Sequence, residues 1–372
     1  MNKLTTQHNY ISALTPLRGI AALWVVIFHI DVSIYYRDLG ALVSRDATGI
    51  LSKGYLWVDF FFLLSGFIIC HVYGQKLIEN WNFKTIKSFL WSRFSRLYPL
   101  HFFTLVILII GVWITPKYFP NVIDGSWVTY FSPQALPIQF SMINAMNLYH
   151  FLSWNMPSWS IGAEWWTYTI AVFIIPLLYR KNTRIILLSS ILAIIALGSL
   201  VYLHPNQNLD ITWDYGFLRC LFEFIIGINI YQFYQKELGK AILKLDFIIP
   251  LLFVLIILTF HYQLPDLINI PIFILLILAA AYNQRKVRAI LERPVFRFLG
   301  DISYSMYLVH GIWFFVFWFI FPHWKQAENI NTLSIPQRLI YTLLFLSLTI
   351  LSSAFTYYFI EIKARKKLRR MY

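Results

Sequence analysis

Charged residues are scarce in this sequence. They make up 13% of its 372 residues, whereas a soluble domain carries about 25%. Hydrophobic residues account for 59%, and the mean hydropathy is positive. Most of the chain is therefore expected to lie in lipid and not in water, and we expect an integral membrane protein.

Other common features are also missing. There are two cysteines, Cys70 and Cys220, predicted near opposite faces of the bilayer, so no disulfide is expected. The first fifteen residues lack the apolar core and cleavage site of a signal peptide, so the first span is expected to serve as an uncleaved insertion signal. No repeat or second domain is evident. We predict one membrane domain over 1–372, without a soluble C-terminal domain, and no metal site.

Acidic residues are few, 17 against 31 Lys and Arg, which gives a formal charge of +14. The basic residues cluster in short runs between apolar stretches and are nearly absent within those stretches. Basic residues that determine the orientation of a membrane protein have this distribution. We therefore predict no nucleic-acid binding and a lipid bilayer as the surrounding partner.

Ten apolar stretches are long enough to cross a hydrocarbon core of about 30 Å. They are 19–36, 55–73, 97–115, 158–179, 185–203, 216–235, 245–262, 267–283, 302–321 and 339–360. The fold class predicted from them is an all-α integral membrane protein, a bundle of about ten transmembrane helices.

The basic residues also predict the orientation of the bundle. With the N-terminus inside, 24 of the 31 Lys and Arg residues lie in inside segments and 6 lie outside, as the positive-inside rule requires. Both termini are therefore expected in the cytoplasm. The outside segment 116–157 is unusually long and rich in Pro and aromatic residues, so it is expected to be functional or to carry short helices of its own.

A few polar residues interrupt the predicted spans, where a charge is costly and is a functional candidate by default. They include His29, Asp59, Glu164, His310 and the pair Arg219 and Glu223. Histidine titrates near neutrality and a carboxylate can orient it, so this belt suits proton transfer. The basic inner face suits an anionic ligand. Arg219 and Glu223, four residues apart, are equally consistent with a structural ion pair.

Five short motifs resemble those of the membrane acyltransferase-3 family. They are Arg18 and His29 separated by ten residues, the aromatic run from Asp59 to Ser65-Gly66-Phe67, Arg93-x-x-Arg96-x-x-Pro99, Trp159-Ser160 followed by Glu164, and Ser303 to His310. They occur in the family's order across 17–361, and the family fold also has ten helices. One departure lies at the chain's end, where Ile362 and Lys363 follow Glu361 although many members have Pro there.

The resemblance implies transfer of an acetyl group from cytoplasmic acetyl-CoA to a hydroxyl of a cell-envelope carbohydrate, across the cell inner membrane. It implies no tightly bound cofactor. The catalytic residues would be His29 as general base or as transient acyl carrier, Asp59 to orient it or to position the acceptor, Glu164 and His310. The donor would be bound by Arg18, Arg93, Arg96 and Ser65, and the acceptor by Arg219, Glu223, Trp159 and Tyr304.

A proton-coupled transporter of a sugar or lipid-linked saccharide is the alternative, because the same charged belt would serve it. The Arg93-x-x-Arg96 element has no evident role in transport, and no inverted repeat is visible. The acceptor stays open among capsule, O-antigen, exopolysaccharide, peptidoglycan and macrolide-like compounds, as do a longer acyl group and the oligomeric state.

Overall fold

A computed structural model describes residues 11–180, 182–322 and 332–371. Within these ranges the chain is helical and has no strand. The polar N-terminal segment that precedes the first span lies largely outside the described residues, as does most of the predicted outside segment after the ninth span. Cys70 and Cys220 are both buried and unpaired.

Ten apolar helices in the described part of the chain form the body of the protein, and we number them in chain order. They are α1 Leu14–Tyr35, α2 Trp57–Glu79, α3 Phe83–Tyr118, α4 Trp159–Leu178, α5 Thr183–Leu203, α6 Gly216–Gln235, α7 Ile248–His261, α8 Asn269–Tyr282, α9 Ser303–Phe315 and α10 Ile335–Thr356. A π-helical turn, Val316–Ile320, extends α9, and another, Tyr357–Glu361, joins α10 to a terminal helix α11, Ile362–Arg370.

Eight of the helices in the described ranges are long and apolar enough to cross a membrane, which confirms the predicted all-α membrane bundle. The other two, α7 and α8, have 14 residues each. At about 1.5 Å per residue each is roughly 21 Å long, shorter than the hydrocarbon core. The count of about ten therefore includes two short apolar helices that the hydropathy pattern did not separate from full spans.

Helix α3 begins well before the predicted span. Its first residue is Phe83, and the side chain of Asn82 caps it by accepting a hydrogen bond from the backbone N–H of Thr85 at 3.0 Å. Arg93 and Arg96 therefore lie on a helix and not in a loop, which corrects the sequence interpretation. Their charges lower the local hydropathy without interrupting the helix, and the helix also continues through Pro99.

Helices α2 and α6 cross very closely because glycine faces glycine. A Cβ atom at Gly66 would lie 2.2 Å from the carbonyl oxygen of Phe224, and one at Gly227 would lie 2.2 Å from that of Leu63. Small residues allow this backbone approach in membrane bundles. The crossing brings the polar side chains of α2 opposite those of α6.

The segment between α3 and α4 carries short helices of its own, Gly125–Tyr130 and Leu136–Phe140, as the sequence predicted. A buried polar network holds it to the bundle. Gln139 is central: its carbonyl oxygen is 2.8 Å from Nε2 of His101, and its side chain bonds Asn144, Ser158 and Ser153. The segment is therefore a packed part of the structure.

Candidate active site

Three arginines line one cavity of about 160 Å³ between α1, α2, α3, α4 and α9. Arg18 comes from α1, whereas Arg93 and Arg96 come from α3 and stand three residues apart on one helix face. The polar part of the remaining wall consists of Ser65, Ser160, Glu164, Tyr168, Ser303, Tyr304 and Tyr307. The cavity therefore brings together all four residues predicted to bind the donor.

The three arginines are only sparsely partnered. Arg93 donates from Nη2 to the hydroxyls of Tyr73 at 2.8 Å and Ser92 at 3.2 Å. Neither Arg18 nor Arg96 has a hydrogen bond, or an acidic group within 4 Å, among the described residues. Glu361 and Glu164 act on both from a greater distance. The cavity therefore concentrates positive charge that its own carboxylates do not neutralise by contact.

Glu164 belongs to a compact cluster of hydroxyls on the cavity wall. Its carboxylate accepts from Ser65 Oγ at 2.7 Å and from the hydroxyl of Tyr168, and these two hydroxyls are themselves 2.7 Å apart. Tyr304, predicted to bind the acceptor, donates to the carbonyl oxygen of Leu97 at 2.6 Å. Ser65, predicted to bind the donor, and Glu164, predicted to be catalytic, are thus direct neighbours.

His29 and His310 form a pair in ring contact, with centroids 4.7 Å apart and ring planes inclined at 52°. Nδ1 of His29 is 2.9 Å from the carbonyl oxygen of Val25, and Nδ1 of His310 is 3.1 Å from that of Met306. A carbonyl can only accept, so Nδ1 carries the hydrogen in both rings and Nε2 is the basic nitrogen of each neutral imidazole. Nε2 of His310 is buried without a hydrogen-bond partner among the described residues, whereas His29 is partly exposed.

One aromatic ring separates the histidine pair from the cavity. The ring of Tyr307 lines the cavity, lies 5.8 Å from that of His310 between centroids, and packs edge to face on Phe61 at 6.0 Å. Its hydroxyl is 2.6 Å from Ser160 Oγ. His29 follows Arg18 by eleven residues on α1, which is about 16 Å along the helix axis. A thin ligand chain held by the arginines would have to pass Tyr307 to reach the histidines.

Asp59 does not orient His29, which corrects the sequence interpretation. Both of its carboxylate oxygens accept from Arg219, Oδ1 from Nε at 2.8 Å and Oδ2 from Nη2 at 2.7 Å. His29 is held by the backbone of its own helix instead. The physical reason is the close crossing of α2 and α6, which places a guanidinium directly against the carboxylate.

Arg219 is the centre of a fully buried cluster. Besides Asp59 it contacts Glu223, at 3.9 Å from Nε, donates from Nη1 to the carbonyl oxygen of Ile211 at 3.1 Å, and stacks on the ring of Trp159 at 5.5 Å. Arg219 is 1% exposed, and Asp59 and Glu223 are not exposed at all. Three residues predicted to bind the acceptor, Arg219, Glu223 and Trp159, therefore form an enclosed unit in this structure.

Sequence reasoning missed three residues that join these groups. Tyr168 bonds both Ser65 and Glu164, Tyr307 separates the cavity from the histidines, and Tyr73 bonds Arg93. Tyr168 could have been found, because it stands four residues after Glu164 and so shares its helix face. Tyr73 and Tyr307 gave no comparable signal.

Comparison with known proteins bears on what such a site does. A family model described as an acyltransferase domain, that of the acyltransferase-3 family, matches residues 11–358. "Protein 2 in picA locus" of Rhizobium radiobacter is 39% identical over 97 residues, which are 26% of this chain and 42% of the relative. The acyltransferase MdmB of Streptomyces mycarofaciens is 31% identical over 175 residues, which are 47% of this chain and 41% of the relative.

A third relative is the peptidoglycan O-acetyltransferase OatA of Listeria monocytogenes. It is 26% identical over 195 residues, which are 50% of this chain and 28% of the relative. The matched regions thus span less than half the length of each of these three relatives. No solved structure shows significant similarity to the chain.

Proposed function

The chain belongs to the acyltransferase-3 family, and we propose that it is a membrane-embedded O-acyltransferase. It moves an acetyl group from cytoplasmic acetyl-CoA to a hydroxyl of a cell-envelope polysaccharide or lipid-linked saccharide. Two of the relatives are named as acyltransferases, one of them acting on peptidoglycan, which supports an envelope acceptor. The enzyme sits in the cell inner membrane with both termini in the cytoplasm.

The observation that carries the proposal is the cavity with three arginines. Gathering like charges where water is scarce is costly, and Arg18 and Arg96 have no contacting carboxylate among the described residues. A polyanionic ligand would offset the repulsion between these arginines. The planar guanidinium group matches phosphate oxygens in two-point contacts. Coenzyme A carries its phosphates at one end and the reactive thioester at the end of a thin arm. This shape fits a basic cavity with Tyr307 in its wall and His310 behind that ring.

His29 is the general base in this proposal. Its Nε2 takes the proton of the acceptor hydroxyl while the hydroxyl oxygen attacks the thioester carbonyl. A new C–O bond forms, the C–S bond breaks, and the proton passes from His29 to the departing sulfur of coenzyme A. The ring of His310 lies against it and keeps a second basic nitrogen in place. General-base help of this kind is worth about 10²–10⁴ in rate.

Acetyl-CoA turnover by the purified protein in detergent, with a carbohydrate acceptor present, tests the proposal. We expect release of free coenzyme A that depends on the acceptor, together with O-acetyl signals in the acceptor's NMR spectrum. The proton-coupled transporter that the charged belt also suits would bind saccharide but leave acetyl-CoA intact. Failure to consume acetyl-CoA with every envelope saccharide tried, in a folded preparation, would overturn the proposal.

A further inference from the structure

The terminal helix α11 lies against the beginning of α3. The indole N–H of Trp91 donates to the carbonyl oxygen of Leu368 at 2.9 Å, and Nη2 of Arg369 donates to Ser92 Oγ at 3.0 Å. The π-helical turn Tyr357–Glu361 stands between α10 and this contact, and such turns often occur at functional sites. The helix is thus docked next to the residues that begin the donor cavity.

This docking connects Arg369 with the arginines of the cavity. Ser92 Oγ, which accepts from Arg369, also accepts from Arg93 at 3.2 Å and lies 3.0 Å from the hydroxyl of Tyr73. Two guanidinium groups therefore converge on one hydroxyl. Neither has an acidic group within 4 Å among the described residues. Like charges held this close are expected to repel unless an anion lies between them.

The basic residues of α11 fall on two faces. Glu361, Arg365 and Arg369 follow one another at intervals of four and share the face towards α3. The Glu361 side chain is buried and accepts from Ser305 at 3.1 Å, and the charge of Arg365 acts on Arg96. The opposite face is exposed and carries Lys363, Lys366, Lys367 and Arg370.

We infer that α11 forms the mouth of the donor site, where Arg365 and Arg369 bind the phosphates at the nucleotide end of the donor. This inference rests on the proposed function. The nucleotide end of coenzyme A carries a diphosphate and a further phosphate on its ribose, so it offers several anionic groups at once. Arg365 and Arg369 would hold part of these groups at the mouth of the cavity, next to Arg93, and Arg18 and Arg96 would hold the remaining phosphate charge inside it.

An anionic lipid headgroup offers the same phosphate chemistry, so the test separates the two sources. The full chain is placed in two sets of nanodiscs, one of phosphatidylcholine alone and one that also contains anionic lipid, and coenzyme A binding is measured by calorimetry in both. The test variant is Arg365→Gln with Arg369→Gln. The matched control, Lys366→Gln with Lys367→Gln, removes the same charge from the other face. The thermal unfolding midpoint of each variant reports whether it is folded.

We expect the α3-facing variant to raise the Kd for coenzyme A by about tenfold or more, the effect of losing one charge-assisted contact. The control should change it by about twofold or less, because Lys366 and Lys367 lie on the face of α11 opposite to the one that contacts α3. Pantetheine, which lacks the phosphates, should bind all three proteins equally.

Three results would overturn the inference. Equal losses in both variants would mean a general attraction of anions to the tail. Unchanged coenzyme A binding in the α3-facing variant would remove Arg365 and Arg369 from the donor site, and a loss confined to nanodiscs with anionic lipid would assign them to headgroups. No coenzyme A binding by the wild-type protein is a different failure, because it would overturn the proposed function itself.

Discussion

Two groups of arginines in this protein are partnered in opposite ways. Arg219 is buried with a two-point ion pair to Asp59, a backbone carbonyl and an aromatic face. Arg18 and Arg96 line a cavity, and neither has a hydrogen bond or a close carboxylate among the described residues. Contacts within the protein therefore offset the charge of Arg219, whereas no contacting carboxylate among the described residues offsets that of Arg18 or Arg96.

This difference separates a structural role from a binding role. A buried charge that contacts carboxylates of its own protein contributes to one packed arrangement, because its charge is already offset without a ligand. A partly exposed charge without partners destabilises the empty protein and gains its partners only when an anion arrives. Identity of the residue type therefore says little, whereas the number of satisfied contacts indicates which arginines meet a substrate.

The largest expected effect is on stability, from Arg219→Ala. It leaves Asp59 and Glu223 as buried charges without a partner, a kind of loss that costs about 3–5 kcal/mol. We expect a clearly lower thermal unfolding midpoint in detergent. A triple variant, Arg219→Met with Asp59→Asn and Glu223→Gln, should recover most of it, since neutral groups need no counter-charge. A single variant as stable as wild type would contradict the structural role.

The second prediction concerns the histidine pair, which belongs to neither arginine group. His29→Ala should lower turnover by about 10² or more while acetyl-CoA affinity stays close to wild type, because His29 lies about 16 Å from Arg18 along α1. A residue that acts only on proton transfer changes turnover and not ground-state binding. Initial rates and calorimetry on the same preparation measure both.

His310→Ala is the matched variant for this prediction. If His29→Ala retained more than about a tenth of wild-type turnover, the loss would be smaller than a general base explains. If it lost coenzyme A binding together with activity, His29 would belong to the donor pocket, and His310 would be the better candidate for the base.

The smallest expected effect is on donor binding. The substitutions that weaken donor binding should not lower stability, in contrast to Arg219→Ala. Arg96→Ala should weaken acetyl-CoA binding by about 1.5–3 kcal/mol and leave the unfolding midpoint unchanged or higher, because an unpaired cation is removed. The same holds for Arg18→Ala. The difference from wild type should shrink at high salt, which screens a partly exposed site. A lower midpoint with unchanged affinity would place these arginines with Arg219.

The helices could be predicted because a bilayer dictates the length of an apolar segment. Helix α6 begins and ends at the predicted residues, 216 and 235. The start of α3 could not be predicted in this way, because Lys84, Lys87 and Arg93 resemble a loop by hydropathy although Asn82 caps a helix there. Hydropathy shows which segments can lie in lipid. It does not show where the backbone hydrogen bonds of a helix begin.

The site was predictable in its members but not in its pairings. The motifs identified Asp59 and Glu164 as functional candidates, and the charge inside a predicted span identified Arg219. Their contacts join positions far apart in sequence, 99 residues for Ser65 with Glu164 and 160 for Asp59 with Arg219. Asp59 could be assigned to His29 from the sequence because both lie in spans. The pairing of Asp59 with Arg219 instead follows only from the close approach of α2 to α6.

The ring of Tyr307 has a consequence for the energetics of the cell. A membrane that stores energy as a proton gradient loses it through any continuous watery passage, and each charge that crosses dissipates about 2.3 kcal/mol per 100 mV. An enzyme that transfers a group from one side of the membrane to the other needs a path through the bilayer. This path must stay closed to ions. In the proposed orientation, one aromatic side chain between the arginine cavity and the histidines is the seal. A smaller residue at this position would then cost the cell its membrane potential as well as its product.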